Sequence, residues 1–210
     1  RWGSRGLGDV YKRQYQEYST LNIFLEATAV FFGLLSVWFS KKNNIWVYPT
    51  GILSTLIFVY LLFHWGLLGD MLINAYYFSM SIYGWYYWTR KSDSADLNPI
   101  SRMSQWEFRR ALALFVFALC FVFIVYRLFD KWNNVIAYID TLTTAIFFVG
   151  MWLMARRKVE NWLFWIVGDL ISIPLYYVKG YSLTSIQYLI FTLLAVAGYY
   201  AWKKELNERD

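Results

Sequence analysis

Polar residues in this 210-residue chain fall in clusters, and long apolar stretches run between them. The stretches lie at about 20–40, 45–63, 68–89, 106–128, 136–155, 161–178 and 182–202, each near the ~20 residues a helix needs to cross a bilayer. The pattern predicts an all-α polytopic membrane protein with seven transmembrane helices. The second and sixth stretches are short, and each carries a proline, Pro49 and Pro174. Such a proline is either a tolerated kink or a helix break that frees backbone groups beside a substrate path.

Composition supports this class. Apolar residues make up 59% and aromatic residues 22% of the chain, more than a soluble domain of this size carries. The 16% that are charged sit at the ends of apolar runs. A net charge of +6 does not point to nucleic acid, because the basic residues are scattered over short loops. Most of them share one side: Lys41, Lys42, Arg90, Lys91, Arg102, Arg109, Arg110, Arg156, Arg157, Lys158, Lys203, Lys204 and Arg209. The other side has Arg127, Lys131 and Lys179. This bias predicts a cytoplasmic C-terminus and an external N-terminus. The loop 91–105 is then cytoplasmic and is expected to be irregular. The single cysteine, Cys120, reads as a small hydrophobe and leaves no disulfide framework within the chain.

Residues 1–14 do not match the rest of the chain. Asp9 to Gln14 looks like a translated transposon-end adapter, and this leader is expected to be non-native. It has no apolar core of a signal peptide.

The chain is similar to itself. Gly66 to Trp88 lies over Gly180 to Trp202 without a gap. With a further shift of three residues, Asn44 to Gly51 lies over Asn161 to Gly168, Gly33 over Gly150 and Lys41 over Lys158. The expected organisation is a first three-helix repeat at 20–89, a connecting helix at 106–128 and a second repeat at 136–203. An odd connecting span makes the repeats parallel, with a substrate site at their interface.

Candidate chemistry concentrates on matching helix faces. Trp162, Trp165 and Asp169 stand at spacings that share one face of a helix. An acid within such an apolar run costs roughly 2.5–3.5 kcal/mol, so it usually faces a polar cavity. Two nearby indoles offer stacking and cation–π surfaces. The combination suggests a pocket for a flat, cationic small molecule. Alternatives remain at each position: an interfacial aromatic belt for the tryptophans, and an interhelical hydrogen bond for Asp169. Similar faces carry Asn44, Tyr48, Gly51 and Thr55 in the second span, and Ser172 and Tyr176 further along the sixth. The third span contributes Asp70, Asn74, Tyr77, Ser81 and Gly84. The seventh contributes Thr184, Tyr188, Phe191, Ala195 and Gly198, with Gln187 beside them. Small polar residues also serve helix packing.

Several of these strings together resemble the PnuC-type nicotinamide riboside transporters. They are Tyr48-Pro49-Thr50-Gly51, Gly69 to Tyr77, Tyr83-Gly84-Trp85-Tyr86, Trp162-x-x-Trp165-x-x-x-Asp169 and Thr184-Ser185-Ile186-Gln187-Tyr188. The resemblance spans about residues 20–204. It implies a 3+1+3 helix arrangement like that of SWEET sugar transporters. It also implies facilitated uptake of nicotinamide riboside across the bacterial inner membrane, with intracellular phosphorylation trapping the substrate. It places substrate binding on Trp162, Trp165 and Asp169, and by position in matching motifs on Asn74, Tyr77, Thr184, Gln187 and Tyr188.

The expected partners are that small molecule and the lipid bilayer. No nucleic acid and no cofactor are expected, and a homo-oligomer is compatible with the pattern. Thiamine, also flat and cationic, is the alternative substrate. A receptor or scaffold without flux is the alternative class. One histidine, one cysteine and no HExxH-like string argue against an enzyme.

Overall fold

The computed structural model describes residues 20–64, 68–92, 95–96, 98–128, 135–178 and 182–208. The side chains of residues 68–70, 91–92, 95–96 and 182–184 lie outside that description. So do the leader 1–14 and the Asp70 and Thr184 side chains singled out above.

Seven helices occupy the described residues: α1 (Thr20–Lys41), α2 (Val47–His64), α3 (Leu68–Thr89), α4 (Gln105–Leu128), α5 (Val135–Ala155), α6 (Asn161–Val178) and α7 (Ser182–Asn207). All except α3 are long and apolar enough to cross a membrane. Helix α3 has the length, but Asn74 and its tyrosines and serines make it more polar. Large apolar side chains such as Phe31, Leu56, Phe117, Leu170 and Leu193 point outward and are exposed. That is the surface a bilayer covers.

Neither proline interrupts its helix. Pro49 lies in the first turn of α2, where no intrahelical donor is needed. Pro174 is inside α6, which continues to Val178. The broken-helix alternative is therefore set aside. The loop expected to be irregular is partly ordered: β1 (Lys91–Ser92) and β2 (Ala95–Asp96) form a short antiparallel pair. Beyond them, Ser101 exchanges backbone bonds with Arg157 and Val159, both at 3.1 Å. Ser104 and Glu107 then start α4 as a capping box. The Ser104 N–H donates to Oε2 of Glu107 at 2.9 Å, and the Glu107 N–H donates to Oγ of Ser104 at 3.3 Å.

Helix α1 packs on α2, α2 on α3, α3 on α5, α5 on α6, α6 on α7, and α7 back on α1. Six helices thus close a ring, and α4 stands outside it against α5.

Two halves of this ring carry the same local geometry at one interval. Asn43 and Arg157, 114 positions apart, have positive φ of 51° and 52°. Their N–H groups donate to the Ser40 and Met154 carbonyls, each at 2.9 Å. The next residues, Asn44 and Lys158, donate to Phe39 and Leu153, again at 2.9 Å. Trp88 and Trp202 stand at the same interval, as do Gly84 and Gly198. The three-residue shift expected between the first two helices and their counterparts is therefore wrong. Glycine matching misled because the small residue changes helix. Gly33 of α1 makes room for Ser54 of α2, whereas at the corresponding contact Phe147 of α5 fills space against Gly168 of α6.

Candidate functional site

The ring encloses a cavity of about 240 Å³. Its wall alternates in origin, and most wall residues come in pairs at the 114-residue interval: Gly33 and Phe147, Val37 and Met151, Ser40 and Met154, Tyr48 and Trp162, Gly51 and Trp165, Thr55 and Asp169, Tyr77 and Phe191, Ser81 and Ala195. One scaffold thus carries two chemically different halves.

Aromatic rings close one end. Tyr48 meets Trp88 edge-on at 5.0 Å and 88°, and Trp162 meets Trp202 edge-on at 5.4 Å and 87°. Trp88 and Trp202 then meet each other at 5.8 Å. Each indole N–H also crosses the ring, Trp88 to the Ala155 carbonyl at 3.2 Å and Trp202 to the Ser40 carbonyl at 2.9 Å. Tyr48 and Trp162 fit against Gly84 and Gly198, where a Cβ would overlap the rings. Trp162 is 1% exposed, so it belongs to the core and not to an interfacial belt. Its Nε1 and the Tyr48 hydroxyl are buried with no hydrogen-bond partner among the described residues.

The side wall from the second half is aromatic. Trp165 stacks on Phe147 at 5.4 Å and 27°, and Phe147 stacks on Tyr188 at 6.1 Å and 7°. Asp169 lies beside them at 3% exposure. No described residue reaches it with a hydrogen bond or ion pair. The interhelical hydrogen bond weighed for Asp169 is thus not made. A buried carboxylate without a partner is costly, by several kcal/mol per ion, so this geometry is suited to a ligand that brings a positive charge or hydrogen-bond donors.

Of the eight residues that the resemblance gave as substrate-binding, five meet in the cavity wall: Trp162, Trp165, Asp169, Tyr77 and Tyr188. Asn74 and Gln187 are half-buried and are not part of it. Gln187 is turned about 100° from Tyr188 around the helix axis, and Asn74 is a turn beyond Tyr77. Two wall segments escaped sequence reasoning. Helix α5 supplies Phe147, Met151 and Met154, and α1 supplies Gly33, Ser36, Val37 and Ser40. Both have helical spacing on one face, a signal that was present but indistinguishable from packing.

A family model described as nicotinamide mononucleotide transporter matches residues 23–204. The chain belongs to this family. It is accordingly a multi-pass membrane transporter that handles a small molecule, and not an enzyme. Similar proteins include the riboflavin/roseoflavin transporter RibM of Streptomyces davaonensis, 28% identical over 81% of this chain and 80% of that protein. The nicotinamide riboside transporter PnuC of Escherichia coli is 26% identical over 89% of this chain and 87% of its own. The crystal structure of the vitamin B3 transporter PnuC has the same fold, with a TM-score of 0.69 at 20% identity, covering 97% of this chain and 89% of that one. In this transporter family member, the Trp-x-x-Trp-x-x-x-Asp face lies in the cavity wall next to Tyr77 and Tyr188.

Proposed function

We propose that this transporter takes up nicotinamide riboside by facilitated diffusion across the bacterial inner membrane, and that a separate kinase traps it by phosphorylation. The C-terminus is cytoplasmic and the N-terminus external, following the basic residues. Helices α1–α3 and α5–α7 act as two parallel three-helix repeats in a 3+1+3, SWEET-like arrangement, with α4 as connector. The constant 114-residue interval and the closed ring support that architecture.

The observation that carries the substrate reading is Asp169, buried in an aromatic cavity with no hydrogen-bond or ion-pair partner among the described residues. A pyridinium ring offsets the carboxylate charge, and stacking of its cation on an indole such as Trp165 adds about 0.5–2 kcal/mol. The cavity wall offers no Lys or Arg for a phosphate, which favours the riboside over the mononucleotide of the family description. Riboflavin is the reading suggested by RibM. Its three fused rings are uncharged, and a cavity of about 240 Å³ is below the ~300–1,000 Å³ common for ligand pockets. Both features favour a single charged ring.

Uptake of labelled riboside into proteoliposomes without an ion gradient tests this reading. Flux that equilibrates, withstands excess thiamine, riboflavin and mononucleotide, and falls at least about tenfold in Asp169→Asn is the expected result, since one lost charge-assisted contact is worth ~1.5–3 kcal/mol. Thiamine-sensitive flux would move the substrate to that vitamin. Saturable binding with no flux would leave a receptor.

A further inference from the structure

We propose that the α1–α3 half of the cavity reads the ligand's sugar hydroxyls through serine and threonine oxygens that act as acceptors. This rests on the riboside reading and names the part of the site that recognises the sugar.

This half of the wall carries seven hydroxyls, those of Tyr48 and Tyr77 and five of serine and threonine, and the protons of the five are already committed. Ser36 donates to the Val47 carbonyl at 2.8 Å, Ser54 to the Ala29 carbonyl at 2.7 Å, Thr55 to the Gly51 carbonyl at 2.8 Å and Ser81 to the Tyr77 carbonyl at 2.9 Å. Ser40 donates to the Met154 sulfur at 3.3 Å. Carbonyl oxygens and a thioether can only accept, so these directions are unambiguous. A hydroxyl that has given up its proton keeps acceptor capacity alone. To a ligand, these five side chains present oxygens that seek O–H or N–H donors and repel anionic oxygens.

Among the described residues, the other half has no serine or threonine in its wall, and its one acidic acceptor is Asp169. At the 114-residue interval, the five serine and threonine positions correspond to Gly150, Gly168, Asp169, Ala195 and Met154. Conversely, the aromatic positions Phe147 and Trp165 correspond to Gly33 and Gly51, which leave space. The halves are therefore specialised in opposite senses. Asp169, buried and without a hydrogen-bond or ion-pair partner among the described residues, lies on the aromatic side. A charged flat ring belongs against that side, and a group rich in donating hydroxyls belongs against the serines. A ring–ribose molecule of this polarity spans the cavity in one orientation.

Two hydroxyls can be removed with little structural cost, because Thr55 and Ser81 bond carbonyls of their own helices. The test compares uptake of nicotinamide riboside with that of its 2′,3′-dideoxy analogue, in wild type, Thr55→Val and the Thr55→Val/Ser81→Ala double variant. Wild type should favour the riboside about tenfold or more in apparent affinity, the scale of one or two hydrogen bonds. The preference should fall roughly threefold in Thr55→Val, which keeps the side-chain shape, and nearly vanish in the double variant. Transport of the dideoxy analogue should change less than that of the riboside in both variants. Equal weakening of both ligands would mean that the hydroxyls merely hold helices, and would overturn the proposal, as would an unchanged preference. Riboside flux with an unchanged preference rejects this proposal alone. Absence of riboside flux in wild type rejects the substrate reading and this proposal with it.

Discussion

Gly198 shows how a single residue supports the site. A Cβ at this position would stand 2.6 Å from the Trp162 ring, which is buried and also held edge-on by Trp202. The ring has no room to retreat. Gly198→Ala should destabilise the protein by about 1–3 kcal/mol through overpacking, read as a lowered melting temperature in detergent. Cavity residues at a distance, such as Thr55, should tolerate conservative change by the same assay. Trp162 also illustrates what residue-level reading of sequence can and cannot do. Its spacing with Trp165 and Asp169 was legible, because helical geometry alone puts the three on one face. Its choice between belt and core was not, since that depends on α7 lying against it.

At the scale of elements, the connection between α3 and α4 is more than a tether. Glu107 at the start of α4 is buried and accepts from both neighbours on the α5–α6 turn: Arg156 at 3.0 Å and Lys158 at 3.0 Å. Lys158 Nζ also donates to Ser101 Oγ at 3.0 Å, and Arg157 reaches the Asn98 carbonyl at 3.0 Å while covering the Trp88 ring at 4.2 Å. The one helix outside the ring is thereby fastened to the turn that shapes the ring. Glu107→Ala should cost about 1–3 kcal/mol by leaving cations unpaired and a capping box unmade, measured by thermal unfolding, with no change in substrate selectivity. Sequence periodicity indicated every one of these helices within a few residues. It did not indicate that the polar loop 91–105 pairs with 157–159, because those bonds run between backbone groups and leave no pattern in side chains.

For the whole molecule, the aromatic row Tyr48–Trp88–Trp202–Trp162 is a floor shared by both halves, with its central contact where they meet. An opening of the cavity toward that end requires this row to separate. In a Cys120→Ala background, Ser36→Cys should react with a membrane-impermeant thiol reagent only slowly from the side of the α1–α2 turn. Adding Trp88→Ala and Trp202→Ala should raise that rate at least about tenfold, if their mutual contacts, each ~0.5–1.5 kcal/mol beyond burial, keep the floor closed. An unchanged rate would place the barrier elsewhere.

The sequence by itself determined the membrane class, the helices, the internal likeness and most of one cavity face. Each of these follows from short-range periodicity and from the high cost of placing polar groups in lipid. Only the tertiary structure decided the register of the two halves and the inclusion of α1 and α5 in the wall. It also decided the loss of Asn74 and Gln187 from that wall. Those outcomes depend on which helix sits opposite which, and on exchanges such as Gly33 with Phe147 and Ser54 with Gly168, where the glycine of the contact moves to the neighbouring helix.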